Sequence, residues 1–496
     1  MRVAKLVETS IARPGIETRG KVVGPKAIAR TIREQLGARK ALTLLPPVSD
    51  DWEKGPLKYF KWLVKLLQNG SRMREALNKL PEHIELSGIK SKFIVDRSLE
   101  FDPDCPNERI PYDPVTDMSA AAVKRLLQET QIEPSQIGSF YLATTTPNSF
   151  DPPPAVRVLA KLIRDKAIPR KVVEGDGRRN GWKTRGVNEG CVGSVIALEN
   201  IEQDMELRAL SDPNDHRYAL AVFAAANSIH MKPESPHEII NYGDGAAAML
   251  FMCTENDSGN ITIADEKHDM KEVDKVVHQL KPFNRYSIYE KFLRYFSPTS
   301  NYGASKRVAK NIADRCPDYL LSLAADNGFN VWDFDHLVLS QTSKGVVDRV
   351  EFGVAEKIRA SLGLNPNIRP ELKAHIEEMA DESSFTLLKE KDLLTTNLFR
   401  IIENDRWTEL LPAMSRDEVE LMNYMILLHQ SVVRTYPTHS YTGVSSIPMA
   451  IAQGVMDKTI DLRNDSIAMV SSGLCGRMKG AIISNSSFDS GEPNLA

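Results

Sequence analysis

The chain has 496 residues, of which 42% are hydrophobic and 26% are charged, and its formal net charge at pH 7 is -3. This composition is ordinary for a soluble globular protein, and the nearly balanced charge gives no reason to expect nucleic acid or a membrane as the main partner. Five scattered cysteines without CxxC spacing argue against a zinc site or a disulfide framework, and they predict a reducing compartment. The first residues lack the long apolar stretch of a signal peptide, so we expect a cytoplasmic protein.

Strand-like apolar runs alternate with helical stretches along most of the chain, which predicts an α/β fold. The runs typical of strands cover residues 138–145, 218–224, 334–339, 466–471 and 480–484, with a further one after Gly245. The periodic stretches typical of helices cover residues 119–129, where Ser119 is the expected cap, 345–362 and 446–454. The two halves share this rhythm, which suggests an internal duplication with one half over residues 1–255 and the other over 256–496.

Three stretches do not follow the repeated rhythm. Residues 40–88 contain a basic amphipathic segment, and residues 260–330 and 365–430 have a highly charged, helical pattern. We interpret all three as insertions that decorate a smaller core. A lid or tunnel wall is one role for them, and the pattern favours the simpler alternative of surface helices.

Cys191 is the strongest candidate for a catalytic residue. Gly190 and Gly193 permit a sharp bend around it, and the spacing of Val195 and Leu198 predicts a helix that starts directly after the bend. A thiol at the beginning of a helix feels the positive end of the helix dipole, which favours the nucleophilic thiolate. The alternative is an inert cysteine buried beside a tight turn.

The segment that begins Gly243-Asp244-Gly245 matches the dinucleotide fingerprint GxGxxA only superficially. The apolar run over residues 249–252 predicts a strand, whereas the fingerprint must open a helix. We therefore interpret the segment as a glycine turn that lets two backbones approach closely. Because no P-loop, GxSxG or HExxH motif occurs either, neither a cofactor nor a metal is expected.

Five motifs in order resemble those of ketoacyl synthase III enzymes in the thiolase superfamily. They are the strand end at residues 143–147, the nucleophile elbow at 190–193, the GDGA turn at 241–248, the helix start at 445–450 and the glycine-rich turn at 473–481. The resemblance implies a five-layered αβαβα thiolase fold, usually homodimeric, with the active site between the two halves. It also implies acyl-CoA or an acyl carrier protein as substrate and partner, and it assigns the oxyanion hole to the backbone N–H groups of Cys191 and Cys475.

The chain departs from that family at the two residues that support decarboxylation. Ser340 stands where the family has histidine, and Tyr441 falls at the position of the family's asparagine. A serine hydroxyl is not a base near neutral pH, so the usual pair is missing. His439 lies two residues before Tyr441 and is the candidate replacement, as general base or thiolate partner, with a structural or surface role as the alternative. The Tyr-Thr-Gly at 441–443 also resembles bacterial hydroxymethylglutaryl-CoA synthases, but Thr146 stands where those enzymes need glutamate.

A basic segment precedes the elbow. Arg178, Arg179, Lys183 and Arg185 are candidates for binding the phosphates of coenzyme A or the acidic face of a carrier protein. The alternative is a solvated hairpin, which the charge pattern favours.

These observations predict an acyltransferase of a specialised biosynthetic pathway. It would carry an acyl group as a thioester on Cys191 and pass it to a hydroxyl, an amine or a preformed carbanion. One alternative is a carbon–carbon condensing enzyme, a 3-oxoacyl or hydroxymethylglutaryl-CoA synthase, that uses His439. Another is a catalytically silent partner in a heterodimer.

Overall fold

The computed structural model describes residues 2–14, 16–27, 87–96, 102, 112–146, 152–175, 181–212, 217–230, 240–255, 260–267, 302–340, 343–361, 368–379, 390–473 and 477–484. Almost all of the predicted insertion at residues 40–88 lies outside these ranges, as do Arg178, Arg179 and Cys475.

The described strands are numbered in chain order. They are β1 (Arg2–Ala12), β2 (Gly20–Val23), β3 (Lys92–Val95), β4 (Ile137–Thr144), β5 (Lys183–Val187), β6 (Tyr218–Ala226), β7 (Asp244–Glu255), β8 (Asn260–Ile263), β9 (His336–Leu339), β10 (Ile467–Ser472) and β11 (Met478–Ser484). The predicted strands agree with β4, β6, β7, β9, β10 and β11 within two residues at most ends, because buried strands leave continuous apolar runs in the sequence.

The described α-helices are α1 (Pro114–Thr130), α2 (Pro154–Arg164), α3 (Arg170–Glu174), α4 (Gly193–Ser211), α5 (Asn227–His230), α6 (Tyr302–Asp326), α7 (Lys344–Ser361), α8 (Pro370–Met379), α9 (Glu390–Glu403), α10 (Arg416–Ser431), α11 (Tyr436–His439) and α12 (Ser446–Met456). Short 3-10 helices lie at Pro134–Gln136, Gly190–Val192, Val331–Asp333, Trp407–Ala413 and Gly443–Ser445. Among the described helices, none has the length and apolarity needed to span a bilayer.

Two mixed sheets form the frame of the molecule. The first has five strands in the order β1-β7-β6-β4-β5, and the second has four in the order β8-β11-β10-β9, while β2 and β3 form a separate pair. In the first sheet β4 is parallel to β5 and β6, and in the second β9 is parallel to β10. The carboxyl ends of β4, β5 and β6 therefore meet at one edge of the first sheet, the place where α/β folds form their sites.

Helices cover both faces of each sheet. On the first sheet, Phe140 and Leu142 of β4 pack towards α1 and α2, whereas Tyr141 and Ala143 pack towards α4. Helices α4 and α12 lie between the sheets, and α6 and α7 cover the outer face of the second sheet. The result is the five-layered αβαβα arrangement, so the predicted α/β class and thiolase-like fold are confirmed. The first sheet comes from residues 2–255 and the second from 260–484, while the duplication itself stays a prediction.

Helix α1 begins earlier than predicted. Its cap is Asp113, whose side chain accepts a hydrogen bond from the Val115 N–H at 3.1 Å, and Pro114 occupies the first helical position. Ser119, the predicted cap, lies inside the helix and is fully buried. Aspartate followed by proline is the stronger start signal, because its carboxylate satisfies an N–H that the first turn leaves free.

The regions interpreted as insertions contribute to the core. Residues 260–263 are strand β8, not helix. Helix α6 buries Tyr319 and Leu323 in the hydrophobic cluster of the second sheet, and α9 and α10 contribute Phe399 and Met425 to the same cluster. Most of the described residues in these regions are helical, and the helices named here pack in the core instead of lying only on the surface. That they are insertions stays a prediction.

Candidate active site

The cysteine elbow has the predicted form. The 3-10 helix at Gly190–Val192 leads without a break into α4, which places Cys191, partly accessible to solvent, at the beginning of that helix. Gly190 has a φ of 62°, in the left-handed region that favours glycine. A Cβ on Gly193 would lie 3.3 Å from Val444, so this glycine allows close packing against the second half. Residue 190 thus favours glycine for its backbone conformation, and a side chain at residue 193 would press on Val444.

The Cys191 thiol is hydrogen-bonded to the phenol of Tyr441. Burial raises the pKa of Cys191, while the bond from Tyr441 and one from the Cys191 backbone act in the opposite direction without cancelling the rise. Burial also raises the pKa of Tyr441 well above 10, and the neighbouring Cys191 adds to that rise. Near neutral pH the pair is therefore a protonated thiol beside a protonated phenol, with one donor ready for a developing thiolate.

Backbone contacts with the preceding strand region hold Tyr441 in this position. Its N–H donates to the Asn241 carbonyl at 2.8 Å, and its own carbonyl accepts from the Gly243 N–H at 3.1 Å. The Asn227 side chain donates to the same carbonyl at 3.3 Å, and the Tyr242 ring lies 5.8 Å from the Tyr441 ring, centre to centre. Tyr441 is 9% exposed, so its phenol has little freedom to leave the thiol.

The glycine turn beneath Tyr441 is a close approach of two backbones, as its sequence indicated. A Cβ on Gly243 would lie 2.5 Å from the His439 carbonyl oxygen, a distance that no larger residue could accept. The following Asp244 is fully buried and accepts hydrogen bonds from the Val95 N–H at 2.8 Å, the Ser228 N–H at 2.7 Å and the Ser228 hydroxyl. The turn thus ties β3, α5 and β7 together under the site.

His439 is buried against Phe93. It is 3% exposed, its ring centre is 5.2 Å from that of Phe93, and its Nδ1 is 2.8 Å from the Thr438 hydroxyl. Across the described residues, no hydrogen bond or charge interaction joins His439 to Cys191. The physical reason is Ser440, whose φ of 54° and ψ of -167° reverse the chain between His439 and Tyr441. In the structure the partner of the Cys191 thiol is Tyr441, and a role of His439 as general base stays a prediction.

Burial, reinforced by the positive charge of Arg13, lowers the pKa of His439 to about 4 from its ordinary 6.5. Between about pH 6.5 and pH 4 His439 is therefore protonated in the unfolded chain and neutral in the folded protein. The free energy of unfolding falls as the pH decreases through this range. We expect His439→Gln to remove about 3 kcal/mol of this pH-dependent loss, measured by urea unfolding across that range. The control is His375→Gln, at a side chain that is 39% exposed. If the free energy of unfolding depends on pH equally in wild type and in His439→Gln, the expectation is wrong.

Comparison with known proteins agrees with this architecture, although no family model matches the chain. A β-ketoacyl-[acyl-carrier-protein] synthase III of Clostridium perfringens is 27% identical over 221 residues, which cover 44% of this chain and 57% of that protein. An acetoacetyl CoA synthase of a Streptomyces species is 23% identical over 251 residues, which cover 50% of this chain and 68% of that protein. The chain thus spans little more than half the length of the synthase III relative that it matches.

Solved structures agree in fold along nearly the whole chain. The 3-oxoacyl-[acyl-carrier-protein] synthase III of Aquifex aeolicus superimposes with a TM-score of 0.52 at 15% identity, covering 97% of this chain and 99% of that one. A 3-oxoacyl-(acyl-carrier protein) synthase of Burkholderia xenovorans gives 0.55 at 12% identity, covering 98% and 96%. The chain is thus similar in fold to ketoacyl synthase III enzymes.

The Ser340 side chain is bonded within the second sheet and not to the Cys191 thiol. It follows the last residue of β9, is 5% exposed, and its hydroxyl oxygen accepts the Ser472 N–H at 3.0 Å. Of the described residues, Cys191 and Tyr441 form the contacting pair, and no hydrogen bond joins Ser340 to either of them.

The predicted donor-binding residues differ in their surroundings. Lys183 lies on the edge strand β5, and its ammonium is paired with the buried carboxylate of Asp204, so its charge is already committed. Arg185 on the same strand is exposed. Arg178, Arg179 and the predicted oxyanion residue Cys475 lie outside the described residues. A role in donor binding therefore stays a prediction for the arginines.

Sequence reasoning missed two polar residues at strand ends. Asn227 directly follows β6 and holds the Tyr441 carbonyl. Ser471 near the end of β10 donates from its hydroxyl to the Cys191 carbonyl at 2.7 Å. A polar residue at the carboxyl end of a fully buried apolar run was the available signal, since such ends line the site in α/β folds.

Proposed function

We propose that this protein is an acyltransferase that carries an acyl group as a thioester on Cys191. The observation that supports the proposal is the Cys191–Tyr441 pair at the beginning of α4, at the edge where the parallel strands end. The donor is acyl-CoA or an acyl carrier protein, as the names of the relatives suggest. A cytoplasmic homodimer is the assembly we infer from the resemblance and from the scattered cysteines.

The first step needs no side-chain base. The Cys191 sulfur attacks the donor carbonyl, the carbonyl's bond to the donor sulfur breaks, and the cysteine proton leaves with the donor thiol. The Tyr441 hydroxyl donates to the cysteine sulfur, and the beginning of α4 contributes its dipole, so both lower the energy of the thiolate as it forms. Arg185 on β5 is exposed, and we propose that it binds a phosphate of the donor.

In the second step the acceptor attacks the Cys191 thioester, and the bond from the carbonyl to the Cys191 sulfur breaks. The thiolate that leaves takes up the proton of an amine acceptor, or a proton from water when the acceptor is a preformed carbanion. Tyr441 donates to that leaving sulfur as well. Because His439 faces Phe93 instead of the thiol, a good nucleophile such as an amine or a preformed carbanion suits the site better than an alcohol, which needs a base.

Carbon–carbon condensation is the second candidate, since both relatives are named as synthases. Decarboxylation of a malonyl thioester requires donors aimed at the enolate oxygen. Tyr441 provides one hydroxyl, and it is engaged with Cys191, while the Ser340 oxygen accepts the Ser472 N–H. We therefore propose transfer without decarboxylation.

Mass spectrometry tests the proposal directly. Purified protein is incubated with a panel of acyl-CoA and acyl-carrier-protein donors, digested and mapped, and an acyl mass shift is expected on the peptide that contains Cys191. The acylated protein is then given malonyl-CoA, and little carbon dioxide is expected. Carbon dioxide release coupled to a β-keto product would favour condensation, and absence of acylation by every donor would favour a catalytically silent partner.

A further inference from the structure

The backbone of Cys191 is anchored to the second half of the protein. The Ser471 hydroxyl donates to the Cys191 carbonyl at 2.7 Å across 280 positions of sequence. Ser471 is 1% exposed and lies in β10, which pairs with both β9 and β11. Because this hydrogen bond is short and comes from a buried side chain on a central strand, it fixes the position of the Cys191 backbone relative to the second sheet.

Ser340 in turn fixes the end of β10. The parallel ladder between β9 and β10 continues to the bond from the Ser340 N–H to the Val470 carbonyl at 3.2 Å. In a regular parallel ladder the next bond would run from the Ser472 N–H to the Ser340 carbonyl. The Ser340 hydroxyl oxygen accepts that N–H at 3.0 Å instead. The Ser340 side chain therefore adds one hydrogen bond to β10 at the point where β9 ends.

We propose that Ser471 is a positioning residue for Cys191 and that Ser340 supports it by holding the end of β10. Tyr441 contacts the thiol and Ser471 the carbonyl of the same residue, so Cys191 is held from the second half at two points. Loss of the carbonyl contact would let the elbow move, and a thiol displaced by a fraction of an ångström meets both its donor carbonyl and Tyr441 less well. The kinetic part of this inference rests on the proposed acyl transfer, whereas the thiol-reactivity part does not.

The test compares Ser471→Ala, Ser471→Thr and Ser472→Ala. Ser472 is the matched control, because it is the adjacent buried serine on the same strand and its hydroxyl has no hydrogen-bond partner among the described residues. Two readouts apply to each folded variant: kcat and KM of acyl transfer, and the pH dependence of iodoacetamide alkylation at Cys191.

For Ser471→Ala we expect kcat to fall about 10-fold with KM unchanged. Its alkylation profile should move to higher pH, because a looser elbow weakens the Tyr441 bond that favours the thiolate. Ser471→Thr should restore both readouts, and Ser472→Ala should remain within about twofold of wild type. Ser340→Ala should act in the same direction as Ser471→Ala with a smaller effect.

An unchanged alkylation profile and kcat in Ser471→Ala would overturn the inference, as would equal effects of Ser471→Ala and Ser472→Ala. If wild type accepts no acyl donor, the proposed acyl transfer fails by itself, and the alkylation profiles still decide whether Ser471 positions the thiol.

Discussion

Replacement of Cys191 by alanine is expected to lower acyl transfer at least about 1,000-fold and to abolish the acyl mass shift. The thioester on residue 191 cannot form without the sulfur. Only direct attack of the acceptor on the bound donor remains, and this reaction is slower because it lacks the covalent intermediate. Binding of the donor should change little, because the alanine keeps the elbow backbone, including the carbonyl that Ser471 holds. Turnover assays measure the loss of acyl transfer, and intact-protein mass spectrometry measures the loss of the acyl mass shift.

Cys316→Ala is the control for that experiment. Cys316 is a free cysteine, 2% exposed in the core of the second sheet, and burial raises the pKa of its thiol to about 12. This thiol should be inert, so the variant should keep full labelling and lose only stability, by about 1 to 2 kcal/mol for the vacated volume. Full labelling and turnover in Cys191→Ala would end the assignment of the nucleophile.

Tyr441→Phe is expected to slow acyl transfer about 10- to 100-fold while the fold is kept. The phenol donates to the sulfur, and that bond lowers the pKa of Cys191 against the larger, opposite effect of burial. Its removal therefore raises the pKa of the thiol further. At a fixed pH near 8 alkylation by iodoacetamide should be slower in the variant, and the pH midpoint should lie higher than in wild type.

The control for the phenol is Tyr424→Phe, at a half-buried tyrosine stacked on Trp332 with its ring centre 5.8 Å away, on α10. It loses the same hydroxyl far from Cys191 and should leave the alkylation profile unchanged. A downward shift of the midpoint in Tyr441→Phe would mean that the phenol acts as an acceptor from the thiol, and the proposed stabilisation of the thiolate would then be wrong.

The fold could be predicted from the sequence because its signals are local. The buried strands β4 and β6 leave continuous apolar runs, and the elbow glycines precede a helical spacing that became α4. The ordered motifs extended these signals to the thiolase-like fold, which the structure confirms. Local signals failed where the sequence offered two possible helix starts. Helix α1 is the example, since its cap is Asp113 and not Ser119.

The arrangement around Cys191 was decided by the tertiary structure. From the sequence His439 was the candidate partner of the thiol, and Tyr441, two positions later, was a departure from the family pattern. In the structure Tyr441 is hydrogen-bonded to the thiol, and the ring of His439 packs against Phe93. The sequence by itself determined the elbow and the residue types near it, since these follow from bends and periodicity. Which side chain reaches the sulfur, and that Ser471 holds the carbonyl, depend on the register between strands hundreds of residues apart, and only folding of both sheets sets that register.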